Sequence, residues 1–142
     1  MLSDPDESVR VAAAKAIGIH ADTKAVEALI HTLSDENGFV VTASLETLGK
    51  MKTDRSKEAI LNMLDSRDDE IKRTAINALS LFEGIVDRVI PFLRDPDWAT
   101  RKVAVEVLGT QRDERRKAIL ETLYDEEEDP TVRKSIEVLL GV

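Results

Sequence analysis

Apolar residues recur along this chain at helical spacing, and the whole pattern then repeats. Three, six and seven residues beyond a recurring Arg-type position, the side chains are apolar or small. These sets are Ala13, Ala16, Ile17; Ser44, Thr47, Leu48; Ala75, Ala78, Leu79; Ala104, Val107, Leu108; and Ile136, Leu139, Leu140. That spacing is one face of an α-helix. It predicts a first helix in each repeat, over residues 9–17, 39–48, 71–79, 100–108 and 132–140. A second set of helices is predicted over 25–32, 56–63, 85–92 and 115–122. Their core faces hold Ala28, Leu29 and Leu33; Ala59, Ile60 and Leu64; Val89 and Leu93; Ala118, Ile119 and Leu123. Arg88 interrupts the alanine column, and Pro91 is expected to kink or shorten its helix.

Two independent markers fix the period. Leu2, Leu33, Leu64, Leu93 and Leu123 each open a short acidic segment, 29 to 31 residues apart. The first helices end at Gly18, Gly49, Ser80, Gly109 and Gly141, 29 to 32 residues apart. Asp and Pro ahead of these helices supply N-cap chemistry, and the small residue behind them reads as a C-cap. The short turn Glu83-Gly84, where the other repeats have longer Asp-containing turns, accounts for the one short interval. A helix pair of this length cannot bury its apolar face alone, so neighbouring pairs must stack.

The run from Leu2 to Gly18 (Leu-Ser-Asp-Pro-Asp, then Val-Arg-Val-Ala-Ala-Ala-Lys-Ala-Ile-Gly) resembles a HEAT repeat, and most closely the short HEAT-like type named after phycobilisome lyases. The likeness extends over essentially the whole chain. Repeat two departs from it, with Val41 in the arginine column and polar Ser44 and Thr47 at the core edge. Repeat five carries two extra acidic residues before Pro130. The resemblance implies an all-α fold: a right-handed α-solenoid, or α-α superhelix, of about four and a half HEAT-like hairpins. Residues 1–142 form one repeat domain, with repeats at about 2–32, 33–63, 64–92, 93–122 and 123–142. The family is mostly a binding scaffold, so the expected function is a noncatalytic protein-protein interaction scaffold.

Composition narrows the alternatives. The chain has 142 residues, a net charge of −8 and no cysteine. Disulfides and thiolate chemistry are excluded, and a reducing cytoplasm fits. No apolar run reaches the ~20 residues of a membrane span. The acidity argues against nucleic acid as a partner. That disfavours the reading as a nucleic-acid-binding HEAT-like module, of the kind found among HEAT-like DNA glycosylases. The lyase resemblance suggests an accessory subunit for tetrapyrrole attachment, but aromatics make up only 4% of residues.

The candidate binding residues lie on the second helices. Six positions before each anchor leucine stand Glu27, Glu58, Asp87 and Lys117; two before it stand His31, Asn62, Pro91 and Glu121. All of these but Pro91 are taken as the partner-binding set. On a solenoid, second helices line the concave face, and Glu27, Glu58 and Asp87 would form an acidic row for a protein or peptide partner with basic segments. Arg10, Lys72, Arg101 and Arg133 form a second column. Pairing with turn acids (Asp4, Asp35, Asp65, Asp95, Asp129), it reads as a structural ladder that ties repeat to repeat.

No catalytic, cofactor or metal residues are expected. The iron-binding hydroxylases of the family use His-Glu pairs, whereas this chain has only His20 and His31 and no His-Glu dipeptide. Trp98 is expected to pack beneath its turn. The basic run 112–117 reads as a solvated helix start, and the acidic cluster 126–129 as a turn able to hold a cation only loosely. The lone last helix leaves an apolar flank without a partner. Either the chain is a segment of a longer array, or its ends associate with each other.

Overall fold

The computed structural model describes residues 1–17 and 22–142. The expected helix end at Gly18, the candidate His20 and the start of the Ala21 turn lie outside the described residues. The described residues form helices joined by turns, with no strand among them, as the periodicity requires. The helices are α1 (Glu7–Ile17), α2 (Thr23–Thr32), α3 (Gly38–Met51), α4 (Asp54–Asn62), α5 (Asp69–Ala78), α6 (Val86–Val89), α7 (Trp98–Thr110), α8 (Arg116–Glu126) and α9 (Pro130–Leu140). Elements pack in sequence order as HEAT-like repeats. The chain groups into two compact units, Met1–Phe82 and Glu83–Val142. The border falls at the shortened Glu83-Gly84 turn, where Gly84 takes a φ of +71° that few side-chain-bearing residues tolerate.

In the first unit α3 is the central rod. It contacts α1, α2, α4 and α5. Nine of its residues are buried, among them Val40, Leu45 and Leu48, and the stripe of Phe39, Glu46 and Lys50 is left exposed. Ser44 and Thr47 are buried too, yet both are satisfied. Ser44 bonds Thr32 and the Val40 carbonyl, and Thr47 donates to the Ala43 carbonyl. In the second unit α7 packs on α9 and on the segment that follows α6. Pro91 acts as anticipated. α6 lasts four residues, and the chain continues as a 3-10 helix over Ile90–Arg94, because proline has no N–H to donate into an α-helical ladder.

Acidic and polar residues cap the helices. Asp22, Asn37, Asp68, Asp97 and Asp129 each accept from backbone N–H groups of the first turn. Thr53 and Ser56 form a reciprocal capping box on α4.

The recurring small residue is not a general C-cap. Gly141 does cap α9, at φ +75°, but α3 runs two residues past Gly49 and is capped by Lys52, and α7 runs past Gly109. These two glycines are contact points instead. A Cβ on Gly49 would lie 3.2 Å from the Ala78 Cβ and 3.3 Å from the Ala78 carbonyl; one on Gly109 would lie 2.5 Å from a Leu139 methyl. Successive first helices touch through these notches.

The core expectation needs correction at four places. Ala28 and Leu33, expected on an inner face, are only half-buried, and Ala25, Val26 and Leu29 take the core side of α2. On α1 only Ala14 is buried; Ala13 and Ile17 are half-buried and Ala16 is exposed. Leu139 and Leu140 of α9 are likewise half-covered. On α8 Ala118 is exposed and Ile119 half-exposed, while Leu120 and Leu123 face in. Trp98 does not pack under its turn: it is the first residue of α7 and 47% exposed.

Candidate functional site

All seven candidate residues of the second helices are exposed: Glu27 and His31 on α2, Glu58 and Asn62 on α4, Asp87 on α6, Lys117 and Glu121 on α8. In the first unit Arg55 draws α2 and α4 together. It donates to Glu27 at 2.7 and 3.4 Å and reaches Glu58 at 3.5 Å. In the second unit Arg115 donates to Asp87 at 2.8 Å, and Lys117 lies 4.0 Å from Glu121. Glu27, Glu58 and Asp87 are therefore each ion-paired within their own unit. The sequence reasoning missed Arg55 and Arg115, and the signal was present. Each is 28 residues beyond its carboxylate, at the start of the next second helix. Arg115 also grips Asp113 at 2.8 Å, and this side-chain bond, with the Arg115 N–H, holds the Asp113 carboxyl down at about 2. Arg116 donates to the Gly109 and Gln111 carbonyls. The basic run 112–117 is a solvated helix start, with Arg112, Glu114, Arg115 and Lys117 exposed, in which Arg115 and Arg116 are tied to neighbouring groups.

The arginine column of the first helices builds a different device. Arg10 donates to both Asp35 oxygens at 2.9 and 3.2 Å, and through its other nitrogen to the Asp4 carbonyl at 2.7 Å and the Pro5 carbonyl at 3.1 Å. Arg101 repeats this: Glu127 at 3.0 and 3.1 Å, the Asp95 carbonyl at 2.9 Å, the Pro96 carbonyl at 3.2 Å. Its partner is Glu127 and not Asp129, because Asp129 is occupied as the α9 cap. Arg133 donates to the Tyr124 and Glu127 carbonyls and stacks on the Tyr124 ring at 4.1 Å. Lys72 sits 3.4 Å from Asp69 on its own helix. In repeat two the column is filled by buried Val41.

The carboxylates do two jobs at once. Asp35 also accepts the Asn37 N–H at 2.8 Å, and Glu127 the Asp129 N–H at 3.0 Å. Burial pushes the Asp35 carboxyl up, but the Asn37 N–H and the Arg10 guanidinium outweigh it and leave it below its ordinary value. Arg94 binds Glu126 at 2.8 and 3.2 Å and lowers that carboxyl. Three of the four carboxylates of the cluster 126–129 are thus engaged, Glu126 and Glu127 by arginines and Asp129 as a helix cap.

Beside Arg10 lies an open groove of about 760 Å³, reaching from Leu2 and Pro5 to His31 and Glu36. Beside Arg101 a smaller one of about 300 Å³ runs from Leu93 to Glu128. Among the described residues no three His, Asp or Glu side chains gather as a metal site, and no helix is long and apolar enough to cross a membrane.

A family model described as HEAT repeats matches residues 1–80 and 58–141, which together span nearly the whole chain. No curated protein matches it. The crystal structure of an engineered protein, a target of the Northeast Structural Genomics Consortium, is similar at a TM-score of 0.60 and 20% identity, over 95% of this chain and 73% of that one. At that identity the likeness is one of fold.

Proposed function

Because the chain belongs to the HEAT-repeat family, we propose that it is a noncatalytic protein-interaction scaffold whose docking surface is the exposed side of its second helices. One observation carries this reading: Glu27, His31, Glu58, Asn62, Asp87, Lys117 and Glu121 are all exposed, on helices whose opposite sides are anchored in the core. Rigid helices keep the entropy cost of docking low. The partner is a protein or peptide whose basic residues compete with Arg55 and Arg115 for the carboxylates of Glu27, Glu58 and Asp87. Such exchange costs little, since both pairs are solvent-exposed, and it makes association sensitive to salt. The absence of cysteine suits a cytoplasmic setting.

Reversing Glu27, Glu58 and Asp87 to Lys together tests the reading. Affinity capture followed by mass spectrometry should lose its partners while circular dichroism stays unchanged. An identical partner set from the parent and the variant would refute the docking surface.

A further inference from the structure

The first helices of the repeats begin on one column of capping residues: Asp6, Asn37, Asp68, Asp97 and Asp129. Each accepts from an N–H of the turn that follows it. Repeat two alone has an amide there, and it alone has glycine next: Asn37-Gly38 is the one Asn-Gly pair in the chain. An asparagine followed by glycine is open to attack by the next backbone nitrogen, because no neighbouring side chain hinders that nitrogen. Gly38 is exposed, and its N–H has no acceptor among the described residues. A Cβ built on it would meet nothing within 4 Å.

The cap itself holds the reaction back. Asn37 Oδ1 accepts from Phe39 at 2.9 Å and from Val40 at 3.3 Å, and the Asn37 N–H is fastened to Asp35 at 2.8 Å. A ψ of 121° turns the Gly38 nitrogen away from the Asn37 side chain. Ring closure needs that nitrogen to eclipse the Asn37 Cβ, so the first turn of α3 must open first.

We propose that Asn37 is a site of spontaneous deamidation, which turns the cap of repeat two into the carboxylate that the other repeats carry. The Gly38 nitrogen attacks Asn37 Cγ. The side-chain nitrogen leaves as ammonia, taking the Gly38 proton, and a succinimide closes. Water then opens the ring. Attack at Cγ breaks its bond to the Gly38 nitrogen and leaves aspartate in an unchanged backbone. Attack at the backbone carbonyl carbon leaves isoaspartate, with the chain rerouted through Cγ. The two products act differently on the α1–α3 joint. Aspartate keeps the acceptor and adds negative charge at a helix N-terminus, where it is favoured. Glu127-Glu128-Asp129 already carries such a run of acids ahead of α9. Isoaspartate lengthens the main chain between the N–H that Asp35 holds and the N–H groups that the cap receives. The path from Arg10 through Asp35 to α3 is then broken.

The full chain, folded or unfolded in guanidinium chloride, is incubated in mildly alkaline buffer. Pepsin digestion at low pH and peptide mass mapping follow the reaction, and electron-transfer fragmentation separates aspartate from isoaspartate. Conversion is expected at Asn37 and not at Asn62 or Asn77, and at least about tenfold slower in the folded chain. Gly38→Ala should slow the unfolded chain's reaction at least about tenfold. Asn37→Asp should melt at or above the parent, and the isolated isoaspartyl fraction below it. Equal conversion at Asn62 or Asn77, equal rates folded and unfolded, or an unslowed Gly38→Ala would each overturn the proposal. So would an intact Asn37 in the folded chain after about a hundred unfolded half-lives. A lower melting point for Asn37→Asp would overturn the equivalence of the aspartate product to the other caps.

Discussion

The α1–α3 joint of the first unit and the α7–α9 joint of the second share a frame and differ in their fill. Both place an arginine six residues after a turn carbonyl and aim it at a carboxylate that also braces the next helix cap. The second joint adds Arg94–Glu126 across the groove and Arg133 on Tyr124. The first has serines in the groove. The frame is what the repeat needs to stack; the fill decides how wide a groove is left at its edge.

Four sets of substitutions bear on that comparison. The largest effect is expected from Arg101→Ala. It would leave the Glu127 carboxylate, only 6% exposed, without its guanidinium, at a cost of about 2–3 kcal/mol. Arg10→Ala should cost less, since Asp35 is more open at 13%. Urea denaturation measures both, and equal losses would mean that burial does not distinguish the joints.

The notches come next. Gly49→Val drives a side chain into the Ala78 backbone and should cost about 1–3 kcal/mol by overpacking. Gly109→Ala meets both methyls and the Cγ of half-covered Leu139, at 2.5 to 3.3 Å, so that side chain must turn away. A helix-propensity gain of up to about 1 kcal/mol offsets that strain, so the net change stays below about 1 kcal/mol.

A smaller effect is expected from Arg94→Ser with Glu126→Ser. Removing this exposed pair should barely move the urea denaturation midpoint. A loss as large as that of Arg101→Ala would show that the fill, and not the frame, holds the joint.

The smallest effect is a titration. Asp113 sits at about 2 against an ordinary 3.8 because Arg115 favours its charged form. A depressed carboxyl adds stability that is complete above the unfolded value and fades as pH falls through the folded one. That loss therefore lies between about pH 4 and 2. Arg115→Gln should return the Asp113 carboxyl toward 3.8, read by carboxyl-carbon NMR.

Much of the fold was legible because burial between copies leaves a period in the sequence. The anchor leucines, the Asp caps and the effect of Pro91 all follow from local chemistry. The glycines misled because a small residue near a helix end satisfies two needs, a left-handed cap and a close helix contact, and sequence alone does not separate them. Ala16 and Ala118 misled for another reason: alanine fits a helix whether covered or bare, so its spacing is weak evidence of an inner face. The exposure of the second-helix positions was legible from register, but their ion pairing was not. The compensating Arg55 and Arg115 lie one repeat further on, and their pairing is a property of stacking, not of one helix.

Proline at position 91 leaves the second unit with a helix written in two hydrogen-bonding registers, α over Val86–Val89 and 3-10 over Ile90–Arg94. The tighter register holds its bonds in poorer geometry, even though Val89 and Leu93 stay anchored in the core. Amide protons there should exchange with deuterated solvent sooner than those of α8, which stays α-helical over Arg116–Glu126.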